Sequence, residues 1–398
     1  MILSRRFRNH LALRGIVVLL TARCLLDIVH YHSLKFSPPA GLSLPDRKPR
    51  IFIASTHWNN EPILRNHGNG AVIQLVHYFA PENTFVSVYE SGSWDDSKQA
   101  LRELEKELEW YNVVLEETTH EEEVSKPPEQ TGWLDTPRGR KELRRIPYLS
   151  RLRNLSLEPL QSLAKEGIMF DTILFLNDVI FTLDDVPNLL GTHDGDYAAA
   201  CSLDFSEPLA YYDTFALRDS AGHETVMSTW PYFRSSVSRS AIKRGDPVPV
   251  SSCWNGMVFM RAEPFYETGE GSHLRFRGIP DSLARYHLEG SECCLIHQDN
   301  PLSPQRGVFV NPHVRVGYNR EAFDAMNGRA GEVTLLAFLF RSWENRILRL
   351  VTTDWFKLRT VSNRLAQWRR ADLARDERGI SCLVDEMQVL ANNGWAHV

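Results

Sequence analysis

Apolar positions along the first half of the chain follow two different periods. Short apolar runs of strand length are separated by stretches in which apolar residues recur at helical spacing. The pattern predicts strands at residues 50–55, 85–89 and 112–115, and helices at residues 61–79 and 95–110. This alternation predicts a doubly wound α/β unit, an architecture that commonly binds nucleotides.

An apolar run that begins at Thr172 ends in the polar pair Asn177-Asp178. Such a run predicts a strand buried on both faces, and ligands of open α/β sheets gather at the carboxyl ends of the strands. A carboxylate in that position can hold Mg²⁺ or Mn²⁺ together with a phosphate-bearing substrate. The alternative is a strand that stops at an ordinary Asn-Asp turn.

The segment at residues 137–154 carries a dense group of basic side chains. They are Arg138, Arg140, Lys141, Arg144, Arg145, Arg151 and Arg153. If the segment is helical, Pro147 kinks or divides the helix. Because arginine forks suit a diphosphate, the patch is a candidate for binding a nucleotide. The alternative is a solvated face that forms salt bridges with the acidic surface loop predicted at residues 116–135.

Two carboxylates near the end of the polar second half, Glu289 and Glu292, are three residues apart. On a helix they would share one face, and either could act as base, nucleophile or transition-state stabiliser. The alternative is an acidic pair that complements a helix dipole. Upstream, the aromatic and polar strings of residues 201–259 are typical of a carbohydrate site or of a core, and residues 248–259 predict one strand entered through a tight turn.

Composition excludes some classes of function. With 398 residues, 43% of them hydrophobic and 24% charged, the chain has ordinary globular values, and we expect one catalytic domain with appendages. Its net charge of −5 gives no general basis for binding nucleic acid, and no nucleic-acid partner is expected. Six cysteines without C-x-x-C spacing argue against a zinc site. The Cys293-Cys294 pair favours one buried thiol and one cysteine with a separate partner over a vicinal bridge.

The two ends of the chain differ from the central region. Arginines precede a mostly apolar N-terminal segment, which predicts either a signal anchor or a peripheral amphipathic helix, because Arg14, Arg23 and Asp27 interrupt it. The predicted organisation is this N-terminal helix at residues 1–30, a Pro-rich stalk at 31–49, the α/β domain at 50–330, and a helical C-terminal extension packed on the core at 331–398.

Six strings of residues occur in a characteristic order. They are residues 89–96 (YESGSWDD), Tyr148-Leu149 with Arg153-Asn154, residues 175–179 (FLNDV), 212–219 (YDTFALRD), 252–256 (SCWNG) and 289–294 (EGSECC). Together they resemble the fungal capsule-associated protein and cryptococcal α-1,3-mannosyltransferase family, glycosyltransferase family 69, from about residue 50 to 319. The resemblance implies a GT-A-like, Rossmann-type domain that transfers mannose from GDP-mannose to a glycan acceptor with retention. It also implies a type II Golgi membrane protein with a lumenal catalytic domain.

The resemblance further implies roles for individual residues. Asn177-Asp178 takes the place of the Asp-x-Asp metal motif, with Asn instead of the first acid, so Asp178 is the strong ligand for Mn²⁺ or Mg²⁺. Diphosphate oxygens and His297 or His313 would complete that site. The other implied roles are donor binding by Glu90, Arg144, Arg151, Arg153 and Asn177, catalysis by Glu289 or Glu292, and acceptor or sugar binding by Asp213, Trp254 and Asn255.

Two other classes of function fit parts of the pattern. A metal-dependent nucleotidyl or phosphoryl transferase would use the same strand and arginines, but residues 55–60 after the first predicted strand contain no glycine for a phosphate loop. A non-catalytic accessory protein for the assembly or export of capsule or cell-wall polysaccharide is the second alternative.

Overall fold

Sixteen strands and fourteen helices are assigned in the described part of the chain. The structure is a computed structural model that describes residues 5–33, 48–126, 131–208, 210–267, 273–328 and 334–398. The strands are β1 Ile51–His57, β2 Thr84–Glu90, β3 Tyr111–Leu115, β4 Trp133–Asp135, β5 Lys141–Leu143, β6 Thr172–Leu176, β7 Ala199–Glu207, β8 Ala210–Tyr211, β9 Arg218–Asp219, β10 Val248–Ser252, β11 Met257–Arg261, β12 Glu289–Gly290, β13 Val308–Gly317, β14 Leu383–Val384, β15 Gln388–Ala391 and β16 Gly394–His397. The helices are α1 Arg5–Ser33, α2 Glu61–Ile63, α3 Asn69–Phe79, α4 Ser97–Glu105, α5 His120–Ser125, α6 Arg145–Lys165, α7 Asp185–Leu190, α8 Ser236–Arg244, α9 Asp281–Ala284, α10 Glu292–Asp299, α11 Ser303–Arg306, α12 Arg320–Met326, α13 Leu335–Val351 and α14 Trp355–Ala371.

One large mixed sheet organises the molecule. Its strand order is β3-β2-β1-β6-β11-β7-β13-β10-β9, with β8 paired to β7. β3, β2, β1 and β6 are mutually parallel, whereas β11 is antiparallel to both of its neighbours, β6 and β7. The parallel half contains the predicted strand-helix alternation, and it confirms the α/β fold class.

Helices cover both faces of this parallel half. Ile51 and Ile53 of β1 belong to the apolar cluster that contains α3 and α4, whereas Phe52 and Ala54 belong to the cluster that contains α6. All four side chains are at most 1% exposed. Burial on both faces explains why β1 is a continuous apolar run instead of an alternating one.

Several element boundaries differ from the sequence prediction. The basic segment is divided between β5 and α6, and α6 begins at Arg145, so that Pro147 lies in the first helical turn, where its missing N–H costs no hydrogen bond. The predicted surface loop at residues 116–135 contains α5 and β4. The predicted single strand at residues 248–259 is two strands, β10 and β11, on either side of a turn at residues 253–256.

At the N-terminus, α1 packs against α13. Arg346 donates to both oxygens of the buried Asp27 carboxylate at 2.6 Å, and Tyr31 contacts the Phe338 ring. None of the described helices combines the length and apolar composition needed to cross a bilayer. Of the predicted Pro-rich stalk, residues 34–47 lie outside the described residues.

The C-terminal extension is only partly helical. α13 and α14 match the two predicted helices, but β14 then pairs with β12, and β15 and β16 form a hairpin. A disulfide between Cys294 and Cys382 joins the extension to α10, and Cys293 is buried with a free thiol. This arrangement confirms the prediction made for the Cys293-Cys294 pair. A second disulfide joins Cys201 of β7 to Cys253.

Gly92, in the loop after β2, allows a close approach of two loops. Its φ is +76°, and a Cβ atom built on it would lie 2.1 Å from the carbonyl oxygen of Thr118. Gly139 has a similar φ of +74° but nothing within 4 Å. Alanine variants at Gly92 and Gly139 therefore separate the energetic cost of backbone strain from that of a steric clash.

We expect Gly92→Ala to lower the free energy of unfolding by roughly 3–5 kcal/mol, because the clash adds to the backbone strain. Gly139→Ala, which meets only the strain, should lower it by about 1–2 kcal/mol. Urea unfolding of both variants measures the difference. Equal losses would show that the Gly92 and Thr118 loops are not held in contact.

Candidate functional site

Three parallel strands end at the same edge of the sheet. His57, the last residue of β1, is in register with Glu90, the last residue of β2, and β6 runs alongside β1 in the same direction. The loops that follow these strands therefore meet: Asn59 N–H donates to Ser93 Oγ at 2.8 Å, and the Asn59 side-chain oxygen accepts from Trp94 N–H. The candidate site lies at this edge.

Asp178 is the carboxylate at the centre of the edge. The Asn60 amide donates to Asp178 Oδ2 at 2.8 Å, and burial raises the pKa of the Asp178 carboxyl to about 6. In the described part of the chain, no basic side chain forms an ion pair with it. A shielded carboxylate without a cationic partner is costly for the fold, and a divalent cation would compensate it.

The preceding residue, Asn177, is engaged by the protein. Its N–H donates to Gly256 O at 2.9 Å, and its side-chain oxygen accepts from the Trp254 indole N–H at 3.3 Å. Asp178 is therefore the carboxylate of this pair that a metal would use. Mn²⁺ and Mg²⁺ are commonly bound through one or two carboxylates plus phosphate oxygens, so the donor set fits such an ion bound together with a diphosphate.

The predicted histidine ligands lie elsewhere. His297 is buried, and its Nε2 lies 2.6 Å from Cys253 O, while His313 Nε2 lies 2.8 Å from Gly245 O. Among the described residues, the one cluster with metal-ligand geometry is Cys201, Cys253 and His297, but its two cysteines form a disulfide. Both histidines lie within hydrogen-bond distance of backbone carbonyls, and neither interacts with Asp178, so the geometry does not support either as a metal ligand.

Arg153 and two acids form a second cluster, which Trp254 connects to Asn177. Arg153 Nε donates to Glu292 Oε1 at 3.0 Å, and the guanidinium lies 4.5 Å from the centre of the Trp254 ring. Burial raises the pKa of Asp213, Glu292 raises it further, and Arg153 opposes the change. Tyr212, whose side chain is partly exposed, lies within electrostatic range of both parts of the site: partial burial raises its pKa, and the Asp178, Asp204 and Asp213 carboxylates raise it further.

A buried network holds the Asp213 loop in place. Asp204 accepts from the Asn255 amide at 3.3 Å and from the Tyr318 hydroxyl at 3.1 Å. Burial, and then the nearby Asp213, raise the pKa of Asp204 to about 7. Asn255 is fully buried and Trp254 is 2% exposed. Trp254 and Asn255 are therefore too buried to contact a sugar as predicted. Instead, Trp254 positions Asn177 and Arg153, and Asn255 positions the Asp213 loop.

In the described part of the chain, buried polar atoms without hydrogen-bond partners collect in the segments that follow β1, β2 and β3. The Trp58 ring stacks on His120 with centroids 4.3 Å apart. Trp58 Nε1, Glu90 Oε2 and both ring nitrogens of His120 have no hydrogen-bond partner among the described residues. Burial raises the pKa of Glu90 and lowers that of His120 to about 4. Such unsatisfied groups suit a polar, ring-bearing ligand, and sequence reasoning found only Glu90 of the three.

The structure corrects the roles predicted for Arg144 and Glu289. Both are fully buried, and Arg144 donates to the two oxygens of Glu289 at 3.1 and 2.6 Å. Arg144 also binds Asp281 at 2.8 Å, so neither partner faces the site. Glu289 lies in β12 and Glu292 is the first residue of α10, so they do not share a helix face as predicted.

Arg151 matches the alternative predicted for the basic segment, a solvated side chain that forms a salt bridge with the acidic segment at residues 116–135. Its guanidinium donates to Glu123 of α5 and lies 5.2 Å from the centre of the Tyr148 ring. Its side chain is 48% exposed. Arg151 is thus held at the surface beside α5, and Arg153 is the arginine of the predicted donor set that contacts Trp254, the partner of Asn177.

Comparison with known proteins adds a family match to this geometry. The family model for cryptococcal mannosyltransferase 1 matches residues 50–299. An α-1,3-mannosyltransferase, CMT1, of Cryptococcus neoformans is 26% identical over 272 residues, which are 63% of this chain and 54% of the relative. The chain thus spans about half the length of that relative. The family match confirms the resemblance that the six strings predict.

Two solved structures are similar in outline. The mannosyltransferase PcManGT of Pyrobaculum calidifontis, in complex with GDP-mannose and Mn²⁺, aligns with a TM-score of 0.37 and 12% identity over 92% of this chain and 88% of its own. GalNAc-T7 with UDP, GalNAc and Mn²⁺ aligns with a TM-score of 0.40 and 12% identity over 81% and 55%. Both scores lie below 0.5, so the family match, and not these structures, identifies the chain.

The raised pKa of Asp178 predicts a stability that depends on pH. Below the pKa of the unfolded state, about 4, the Asp178 carboxyl is protonated in both the folded and the unfolded protein, and its burial does not lower the free energy of unfolding. As the pH rises through about 6, the buried carboxyl ionises and this stability is lost. We expect Asp178→Asn to raise the free energy of unfolding by roughly 1–3 kcal/mol near pH 8, and to change it little near pH 4. Urea unfolding at both pH values tests this.

Asp184→Asn is the matched control, because this exposed carboxylate lies six residues further on. It should leave the free energy of unfolding unchanged at both pH values. A loss of stability in Asp178→Asn near pH 8 would contradict the unpaired state of the Asp178 carboxylate.

Proposed function

We propose, because the chain belongs to the cryptococcal mannosyltransferase family, that it transfers a mannosyl residue from GDP-mannose to a carbohydrate hydroxyl, with retention and in an α-1,3 linkage. Asp178 is the observation that carries the proposal. Among the described residues it is a shielded carboxylate without a basic partner, at the carboxyl end of a central parallel strand. Arg153 stacks on Trp254, which binds the adjacent Asn177, and Trp58, Glu90 and His120 after the neighbouring strands carry unsatisfied polar atoms. A nucleoside diphosphate with a divalent cation supplies the charges and hydrogen bonds that these groups lack.

The residues divide into three tasks. Trp58, Glu90 and His120 bind the nucleoside, the two rings by stacking and the carboxylate by accepting a hydrogen bond. Asp178 holds Mn²⁺ or Mg²⁺, which when bound neutralises charge on the departing diphosphate. Arg153 adds a guanidinium that the Trp254 ring and Glu292 hold in a fixed orientation.

The acidic side of the cluster serves the sugar. Loss of the diphosphate leaves positive charge on the anomeric carbon, and a carboxylate close to it stabilises that charge. Asp213 and Glu292 are the carboxylates beside Arg153. Of the two, Asp213 is the better placed, because Glu292 Oε1 is already bound by Arg153 and by the Cys293 thiol.

The test is a donor screen with the full chain. Purified protein is incubated with GDP-mannose, UDP-xylose or UDP-glucose, with and without Mn²⁺, and donor turnover is measured. We expect turnover of GDP-mannose that requires the metal. Asp178→Ala should lower kcat/KM by about 10²–10³, and Asp184→Ala should leave it unchanged.

The outcome also decides between enzyme and accessory protein. Folded protein that turns over none of the three donors, with or without Mn²⁺, would contradict the enzyme proposal. Full support of polysaccharide assembly in cells by Asp178→Ala would favour the non-catalytic alternative. A wild-type preference for UDP-xylose or UDP-glucose would keep the transferase and overturn the mannosyl donor.

The cysteines support a place in the secretory lumen, and we propose the Golgi membrane with the catalytic part lumenal. Cys201–Cys253 and Cys294–Cys382 are disulfides buried in the fold, and such bonds persist in oxidising compartments. The free thiols are Cys24 and Cys293.

Alkylation of the protein from its native host tests this location. Under denaturing, non-reducing conditions we expect the mass of two alkyl groups, from Cys24 and Cys293, and six after reduction. Six groups before reduction would mean that the protein matures in a reducing compartment.

A further inference from the structure

The helix α6 begins at the edge of the sheet that carries the candidate site. It packs on β1 and β2 and enters the parallel strand β6 through a short connection, so it runs opposite to these strands. Its first residue, Arg145, therefore lies at the edge where the strands end. Arg153, the arginine of the candidate site, is eight residues further along the same helix, a rise of about 12 Å.

The C-terminal hairpin of β15 and β16 holds the Arg145 side chain. The guanidinium lies 4.5 Å from the centre of the Trp395 ring, and its Nη1 donates to the side-chain oxygen of Gln388 at 2.6 Å. Gln388 is 2% exposed, and its amide donates to Glu386. The hairpin thus orients the guanidinium with an aromatic ring and a neutral oxygen, and these two partners leave its positive charge uncompensated.

Arg145 also differs from Arg153 in its acidic partners. In the described part of the chain no carboxylate lies within ion-pair distance of the Arg145 guanidinium, whereas Arg153 is bound by Glu292. Burial lowers the pKa of Arg145, Glu292 and the Cys293 thiol oppose the change, and Arg153 lowers the pKa further. The two arginines are therefore shielded cations within electrostatic range of each other, and an anion bound by both would offset their repulsion.

The Tyr212 hydroxyl relates Arg145 to the metal side of the site. Burial and then the Asp178 carboxylate raise the pKa of Tyr212, whereas the Arg145 guanidinium lowers it. Both charges are thus within electrostatic range of the same hydroxyl. A diphosphate that shares a divalent cation with Asp178 would lie in this part of the site, within the range of Arg145.

We propose that Arg145 binds the donor diphosphate together with Arg153, and that Trp395 and Gln388 orient its guanidinium for this task. The inference rests on the proposed function, which supplies the diphosphate. Each phosphate of a sugar nucleotide carries negative charge, and more develops as the sugar departs. Two guanidinium forks supply both the N–H donors and the positive charge for these oxygens.

This assignment gives the C-terminal hairpin a part in donor binding. The family match covers Arg145 but ends at residue 299, so Gln388 and Trp395 lie outside the matched region. The alternative is that Arg145 only attaches the hairpin to α6. A purely structural Arg145 would lower stability on substitution and leave the affinity for a diphosphate unchanged.

Calorimetric titration of the full chain with inorganic pyrophosphate and Mg²⁺ tests the inference, because this probe contains neither nucleoside nor sugar. We expect the wild type to bind pyrophosphate more tightly than orthophosphate. Arg145→Gln should weaken pyrophosphate binding about 10–100-fold, since hydrogen bonds to a charged group are lost. Arg145→Lys, which keeps the charge but not the fork, should lose less, and Trp395→Ala about two- to fivefold. The KM for GDP-mannose should rise in the same order.

Arg359→Gln is the matched control. Arg359 is an exposed arginine of α14 whose guanidinium lies 4.9 Å from the centre of the Trp355 ring. The control therefore removes the same kind of contact outside the candidate site, and it should bind pyrophosphate like the wild type. Urea unfolding shows whether each variant folds. If Arg145→Gln does not fold, Arg145→Lys and Trp395→Ala decide the question, because each removes only part of the contact.

Unchanged pyrophosphate affinity in folded Arg145→Gln would overturn the inference, as would wild-type protein that does not bind pyrophosphate with Mg²⁺. Turnover of GDP-mannose that Arg145→Gln leaves unchanged would contradict the inference alone and keep the proposed function. Pyrophosphate binding that depends on Arg145, in a protein that turns over no donor, would support the inference and contradict the proposed mannosyl transfer.

Discussion

Parallel pairing of β1 with β2 and β6 is the constraint on which the candidate site depends. Because the three strands run in the same direction and in fixed register, their last residues and the loops after them share one edge. The Asn60 bond to Asp178 joins the β1 loop to the residue pair after β6, and the Asn59 bonds to Ser93 and Trp94 join it to the β2 loop. A shift of β6 by one residue would turn Asp178 away and expose the apolar side chains of the strand.

The structure compensates the charge of Glu289 with an arginine but, among the described residues, places no basic side chain beside Asp178. Glu289 is fully buried and receives two hydrogen bonds from Arg144, so its charge is compensated inside the protein. Asp178 receives one amide hydrogen bond and no basic side chain. An arginine beside Asp178 would stabilise the ionised carboxylate but would also repel a divalent cation and occupy its place. In the proposed site, the absence of a basic partner leaves the Asp178 carboxylate available to a cation, and it makes the fold less stable at neutral pH.

Much of the parallel half could be predicted from the sequence. β1, β2 and β6 are buried on both faces, and such strands are visible as continuous apolar runs. The position of Asp178 follows from the end of one such run. The sequence does not indicate the role of Asn60, because residues 55–60 have no glycine-rich phosphate loop and the β1 loop instead binds Asp178 with an amide.

Other site predictions failed because they needed contacts that local patterns do not contain. The local sequence does not distinguish Arg144 from Arg153. Arg144 is buried with Glu289, which lies 145 residues further along the chain, whereas Arg153 stacks on Trp254. The spacing of Glu289 and Glu292 suggested one helix, but β12 pairs with β14, at the far end of the chain, and α10 begins only after it. Trp254 and Asn255 are likewise buried, so they do not face a sugar as predicted.

The C-terminal residues support the candidate site, although the family match ends at residue 299. β14 pairs with Glu289 and Gly290, and the adjacent Cys382 is bonded to Cys294. Glu292, which orients Arg153, lies between these two attachments. Holding the start of α10 from both sides fixes the direction of the Glu292 carboxylate, and through it the guanidinium beside Asp213. A chain cut after α13 would keep every predicted site residue and lose the support that aims Arg153.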